Sequence, residues 1–158
     1  MTPSLDDLFA QLQQSEVDSS AVAGQILDLW SRSGSASIDL LAERGEAALE
    51  AGDLEAALGF FSALVDHAPD FAAGYVARAK AYRFAGLTGP ALADLQSALA
   101  LEPRQIEAMV LLASMLEELG SKDEALAAWQ LLAQLTPHDE TVKEAVLRLN
   151  SGPSGTIL

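Results

Sequence analysis

LEAGDLEAALGFFSALVDHAPD, residues 49–70, joins two helical patterns at a Gly-Asp break and closes the second with a Pro. It is either a single helix-turn-helix or one copy of a repeat, and the spacing decides. Gly52, Gly86 and Gly120 are 34 residues apart, and so are Pro69, Pro103 and Pro137. Ala57, Ala91 and Ala125 keep the same step, as do Leu58, Leu92 and Leu126, and Phe61, Leu95 and Trp129 form a column of large apolar residues. The stretch is one copy of three.

Each column answers a physical need. A Gly ends the first helix of each pair, where a left-handed backbone angle is cheap only without a Cβ. Asp53 and Ser121 are placed to cap the second helix, and Ser121 with Glu124 has the S-x-x-E spacing of a capping box. The small Ala lets two helix axes approach. The Pro stops the second helix and turns the chain into the next pair. In the second copy Gly89-Pro90 replaces charged helix formers, so that helix is predicted to begin a residue or two late. The pattern predicts helices near 4–14, 18–32, 37–51, 54–67, 71–85, 89–101, 105–119, 122–135 and 139–149, and no strand.

A 34-residue helix-turn-helix with these columns resembles the tetratricopeptide repeat family. The resemblance runs from 38 to 139 without insertion, in copies 38–71, 72–105 and 106–139. The small residue within each first helix is Gly45, Ala79 or Ala113, while the aromatic expected four positions earlier survives only as Tyr75, with Leu41 and Met109 elsewhere. The family implies an all-α fold, a right-handed α-α superhelix, here with additions at both ends. Residues 1–37 read as a divergent N-terminal helix pair: shifting the repeat back by 34 puts Ala23 and Leu27 in register with Ala57 and Phe61, though Asp18 falls where Gly is expected. Leu5, Leu8, Phe9 and Leu12 make one apolar stripe there, and Val22, Ile26, Leu29 and Trp30 another. Ser33-Gly34-Ser35 is the hinge into the first copy. Residues 140–150 read as an amphipathic capping helix, and the tail SGPSGTIL, 151–158, as disordered. Small bacterial proteins of this class carry similar caps, and many are exported.

Composition narrows the function. The chain has 158 residues, half of them hydrophobic, with no Cys and a net charge of −14. That field repels phosphate backbones and anionic membrane surfaces, so nucleic acid is not an expected partner. The charge is uneven: residues 1–70 carry −11, 106–158 carry −5, and 71–105 carry +2. No apolar run is long enough to span a membrane, and the start lacks the basic and apolar regions of a signal peptide. A soluble, cytoplasmic protein is expected as written; a signal sequence ahead of this start would make it periplasmic.

Catalytic, cofactor and metal sites are not expected. His67 and His138 both sit beside helix-ending prolines, without a second ligand at suitable spacing. Glu117-Glu118, Asp123-Glu124 and Asp139-Glu140 are sequence neighbours that point about 100° apart on a helix, as solvated faces and caps do. The family resemblance instead implies a groove lined by the first helix of each pair, binding a peptide or partner helix. Asp39, Ala42, Glu46, Leu49 and Glu50 would face it from the first copy; Ala73, Val76, Lys80, Arg83 and Phe84 from the second; Glu107, Val110, Ser114, Glu117 and Glu118 from the third. Chaperone-docking members of the family grip a terminal carboxylate through Lys, Arg and Asn at five columns. Here those columns hold Ala42, Glu46, Ala77, Glu107 and Leu111, so that clamp is absent.

Lys80 and Arg83 form the basic centre of this groove. Internal pairing with Glu46, Glu50 and Glu117 would neutralise them; otherwise they receive an acidic side chain or free carboxylate, with Val76 and Val110 contacting apolar residues of the ligand. Arg44 and Arg78, also 34 apart, are expected to find surface carboxylates, or else to reach a ligand. The rival to an interaction module is an oligomerisation unit assembling through its capping helices, so the oligomeric state stays open.

Overall fold

Helix limits follow from what satisfies the backbone at each end. The computed structural model describes residues 2–151, and among the described residues it has nine α-helices and no strand. They are α1 Leu5–Gln11, α2 Ser19–Trp30, α3 Ala36–Glu50, α4 Leu54–His67, α5 Ala72–Phe84, α6 Thr88–Leu101, α7 Ile106–Glu118, α8 Lys122–Leu135 and α9 Glu140–Asn150. Residues 152–158, most of the tail expected to be disordered, lie outside the described residues.

The repeat columns do what their chemistry requires. Gly52, Gly86 and Gly120 have φ of 78°, 76° and 81°. At each, the glycine N–H bonds the carbonyl three residues back and the next N–H the carbonyl five back (Asp53 to Ala48, Leu87 to Tyr82, Ser121 to Leu116), the Schellman closure of a helix C-terminus. Each proline falls two residues beyond the last helical residue of α4, α6 or α8. Tyr75 Oη donates to the Pro69 carbonyl at 2.9 Å, pinning that corner.

Three local expectations are corrected. The helix carrying Pro90 does not start late: α6 begins at Thr88, in register with Leu54 and Lys122. Pro90 is its third residue, where an N–H has no intrahelical acceptor to lose. Ser121 makes no side-chain cap, although Asp53, at nearly the same backbone angles, accepts from Ala56 N at 3.1 Å. Serine caps α1 and α3 from extended backbone, with ψ of 165° at Ser4 and 123° at Ser35, whereas Ser121 sits at ψ 68°. A complete capping box occurs instead at Ser4 and Asp7, ahead of α1. Finally, α1 ends at Gln11 rather than near 14, because Gln13 and Gln14 bond carbonyls three residues back and tighten the chain out of the α-helix.

By packing, the chain divides into two units. One is Trp30–Ala108; the other combines Met1–Leu29 with Met109–Leu158.

In the first unit α3 packs on α4, α4 on α5, and α5 on α6. Ala57, Phe61 and Ala81 form a buried cluster flanked by Ala48, Leu49, Leu58 and Ala77. Phe61 fills the space Gly45 leaves open: a Cβ on Gly45 would run into its ring, and one on Gly74 into Leu64. Between α5 and α6, Arg78 makes two 2.8 Å hydrogen bonds to Asp94 and lies over the Tyr82 ring, 5.6 Å from its centroid. Arg78 has therefore found a carboxylate, but a buried one rather than one at the surface.

In the second unit α8 packs on α9, and Ala125, Ala128, Trp129, Leu132, Val142 and Ala145 are buried. Residues just after α1 join the corner between α8 and α9. Gln13 Nε2 donates to the carbonyls of Gln134 (3.0 Å) and Leu135 (3.3 Å), and His138 Nε2 lies 3.1 Å from the Gln13 carbonyl. Leu8, Phe9, Leu12, Val22 and Ile26 are buried in this unit. In α2 the buried face is thus Val22 and Ile26, while Leu27 is exposed, so α2 does not keep the register that placed Ala23 and Leu27 opposite Ala57 and Phe61. Asp18, where a glycine was sought, caps α2 through hydrogen bonds from Ser20 and Ala21 N–H.

Candidate functional site

On α3, Glu46, Leu49 and Glu50 lie three and four residues apart and share a face; on α5, Ala77 and Lys80 do the same. Together with Phe61 of α4 they line a cavity of about 230 Å³ within the first unit. The two glutamates are exposed and Lys80 is half-buried. Lys80 is paired internally, though with Glu107, not with the glutamates beside the cavity or with Glu117. Arg83 is half-buried three residues further along α5, and the neighbouring Phe84 is 73% exposed.

Two residues expected at this surface are withdrawn from it. Val76 is only 1% exposed, so it packs in the core and cannot touch a ligand. One turn of α5 has four sides, and the repeat pattern does not say how deep each lies. Asp39 accepts hydrogen bonds from the Ser33 backbone (3.0 Å) and hydroxyl (2.8 Å), which hold its pKa below the ordinary aspartate value. It closes the hinge at Gly34.

Val110, Ser114 and Glu117 lie half-buried on α7, in the second unit. Glu117 is occupied there by Arg148 and by Trp129 Nε1 at 3.1 Å. The Arg148 hydrogen bond is the main cause of its lowered pKa, with Trp129 adding to it. That partner on α9 was not foreseen, since no spacing links positions 117 and 148. The histidines are corner residues: His67 ends α4 and His138 bonds Gln13.

A larger cavity, about 490 Å³, lies where residues 15–20 meet His138–Thr141 and Lys143. Its three acids are already engaged, Glu140 by Lys143 at 2.9 Å. Asp18 caps α2 and Asp139 caps α9 through Val142 N–H. Among the described residues no group of three or more His, Asp or Glu is arranged to hold a metal ion, and no helix is long and apolar enough to cross a membrane.

The repeated helix pairs of this geometry recur in known proteins. A protein of Rhizobium etli described as TPR repeat-containing is 32% identical over 144 residues, covering 90% of this chain and 71% of the relative. The chain belongs to the tetratricopeptide repeat family. No family model matches it. Among solved structures, the Arabidopsis OM64 TPR domain superposes with a TM-score of 0.65 at 25% identity, covering 72% of this chain and 93% of that one. The first TPR of Spaghetti (RPAP3), bound to the HSP90 peptide SRMEEVD, gives 0.66 at 19%, covering 72% and 92%. The TPR2B domain of yeast Sti1, in complex with an Hsp70 peptide, gives 0.66 at 18%, covering 73% and 98%. The tetratricopeptide fold is thus shared even where little sequence is.

Proposed function

We propose that this tetratricopeptide repeat protein is a non-catalytic interaction module that holds a peptide or partner helix against the first helices of its repeats. The observation that carries the reading is the cavity between α3 and α5. It has an apolar floor of Leu49, Phe61 and Ala77, a rim of exposed glutamates and no convergent acid-base pair. Fold relatives that carry chaperone peptides support this use of the scaffold. The ligand differs, because the columns that grip a terminal carboxylate hold Ala42, Glu46, Ala77, Glu107 and Leu111. Val110, Ser114 and Glu117, on α7 in the second unit, are a separate candidate surface.

Leu147 of α9 is 69% exposed, which favours a second reading, assembly through the capping helix. Light scattering across a dilution series distinguishes the two. A monomer supports the open module, and a dimer lost on Leu147→Glu supports assembly. For the module reading, Leu49→Asp should abolish capture of peptides selected on the wild-type chain. Undiminished capture by that variant would place binding elsewhere.

A further inference from the structure

We infer that the groove between α3 and α5 takes a basic segment, with one arginine or lysine side chain seated between Glu46 and Glu50. This rests on the interaction-module reading and assigns its ligand a charge. The sequence alone left Lys80 either paired internally or receiving a carboxylate, and its ion pair with Glu107 favours the first. Lys80 is already neutralised by Glu107, whereas among the described residues Glu46 and Glu50 form no ion pair. What the cavity offers is two unspent carboxylates, one helical turn apart, above Leu49 and Ala77. A long cationic side chain matches that arrangement. Its methylene stem covers the apolar floor while its head meets the carboxylates, and a guanidinium can engage both oxygens of one of them. An acidic ligand would instead have to displace Glu107 and sit beside two like charges.

Size and field agree. The cavity is smaller than the roughly 300–1,000 Å³ of pockets that enclose whole small molecules, so it suits one side chain of a longer segment. Residues 30–108, the unit that holds the cavity, carry a net charge of −5, and such a field draws cationic segments in and turns acidic ones away.

The test pans a phage-displayed random dodecapeptide library against the full chain, followed by titration of fluorescein-labelled synthetic copies of the consensus. The expected consensus contains Lys or Arg. Its affinity should fall about tenfold in Glu46→Gln/Glu50→Gln, with an unchanged Tm, and should weaken with salt. In Lys80→Gln, which removes the local positive charge, the same peptide should bind equally or more tightly. Consensus peptides without a basic residue, or a tenfold loss in Lys80→Gln, would overturn the charge assignment. If those peptides still fail on Leu49→Asp, the module reading stands without it. No enrichment above an unrelated protein would overturn both.

Discussion

Gly45 and Phe61 occupy the columns that hold Ala79 and Leu95 in the next repeat, so volume removed from one helix reappears on its partner. Gly45→Ala drives a Cβ into the Phe61 ring and should destabilise the protein by roughly 1–3 kcal/mol in urea unfolding. The double variant Gly45→Ala/Phe61→Leu recreates the combination of the second repeat and should recover most of the loss; strict additivity of the two costs would show that they do not share that space. Arg78 and Asp94 make a sharper case. Asp94→Ala strands a guanidinium between helices and should cost roughly 2–3 kcal/mol, whereas replacing both by Leu should cost less. The glycine and proline columns were legible in the sequence because each meets a backbone need that recurs every 34 residues. The Arg78 pair was not. Its acid stands where the other copies have Phe60 and Ala128, and only that break in the column marks it.

Helices close on one another through the same three alanines, each 0% exposed. Ala57→Leu, Ala91→Leu and Ala125→Leu should each destabilise by roughly 1–3 kcal/mol, and a variant that melts with wild type would remove that alanine from a helix crossing. The capping helix α9 adds a pH dependence. Arg148 holds the Glu117 pKa below its ordinary value, so the stabilisation is complete above that value and is lost as pH falls through the lower folded one. Glu117→Gln should therefore lose stability at neutral pH but change less than wild type on acidification to about pH 3.5. Equal acid slopes in denaturant titrations would show that this carboxylate does not govern the acid limb. Where each helix lies was readable from its period and its stop signals. Whether a cap engages was not, since serine caps α3 from the extended backbone of Ser35 but not α8 from Ser121.

Scaled up, the repeat told which segments resemble one another but not which would gather, because packing between distant segments leaves no period. Residues 1–37 are expected to lead into the first repeat, yet among the described residues 2–29 group with 109–151. Removing residues 1–17 should therefore speed amide hydrogen exchange in α8 and α9 while leaving α4 and α5 as they were; unchanged exchange in α8 and α9 would mean the Gln13 contacts contribute nothing to their stability. The same grouping orders events on the ribosome. Gln13 emerges early, but the carbonyls of Gln134 and Leu135 follow more than a hundred residues later, on the order of ten seconds at typical synthesis rates. Within that interval α3 to α6 are synthesised in full. The nascent chain thus carries a finished middle and an unfinished beginning, and a chaperone that shields its first thirty residues would have a defined moment to let go.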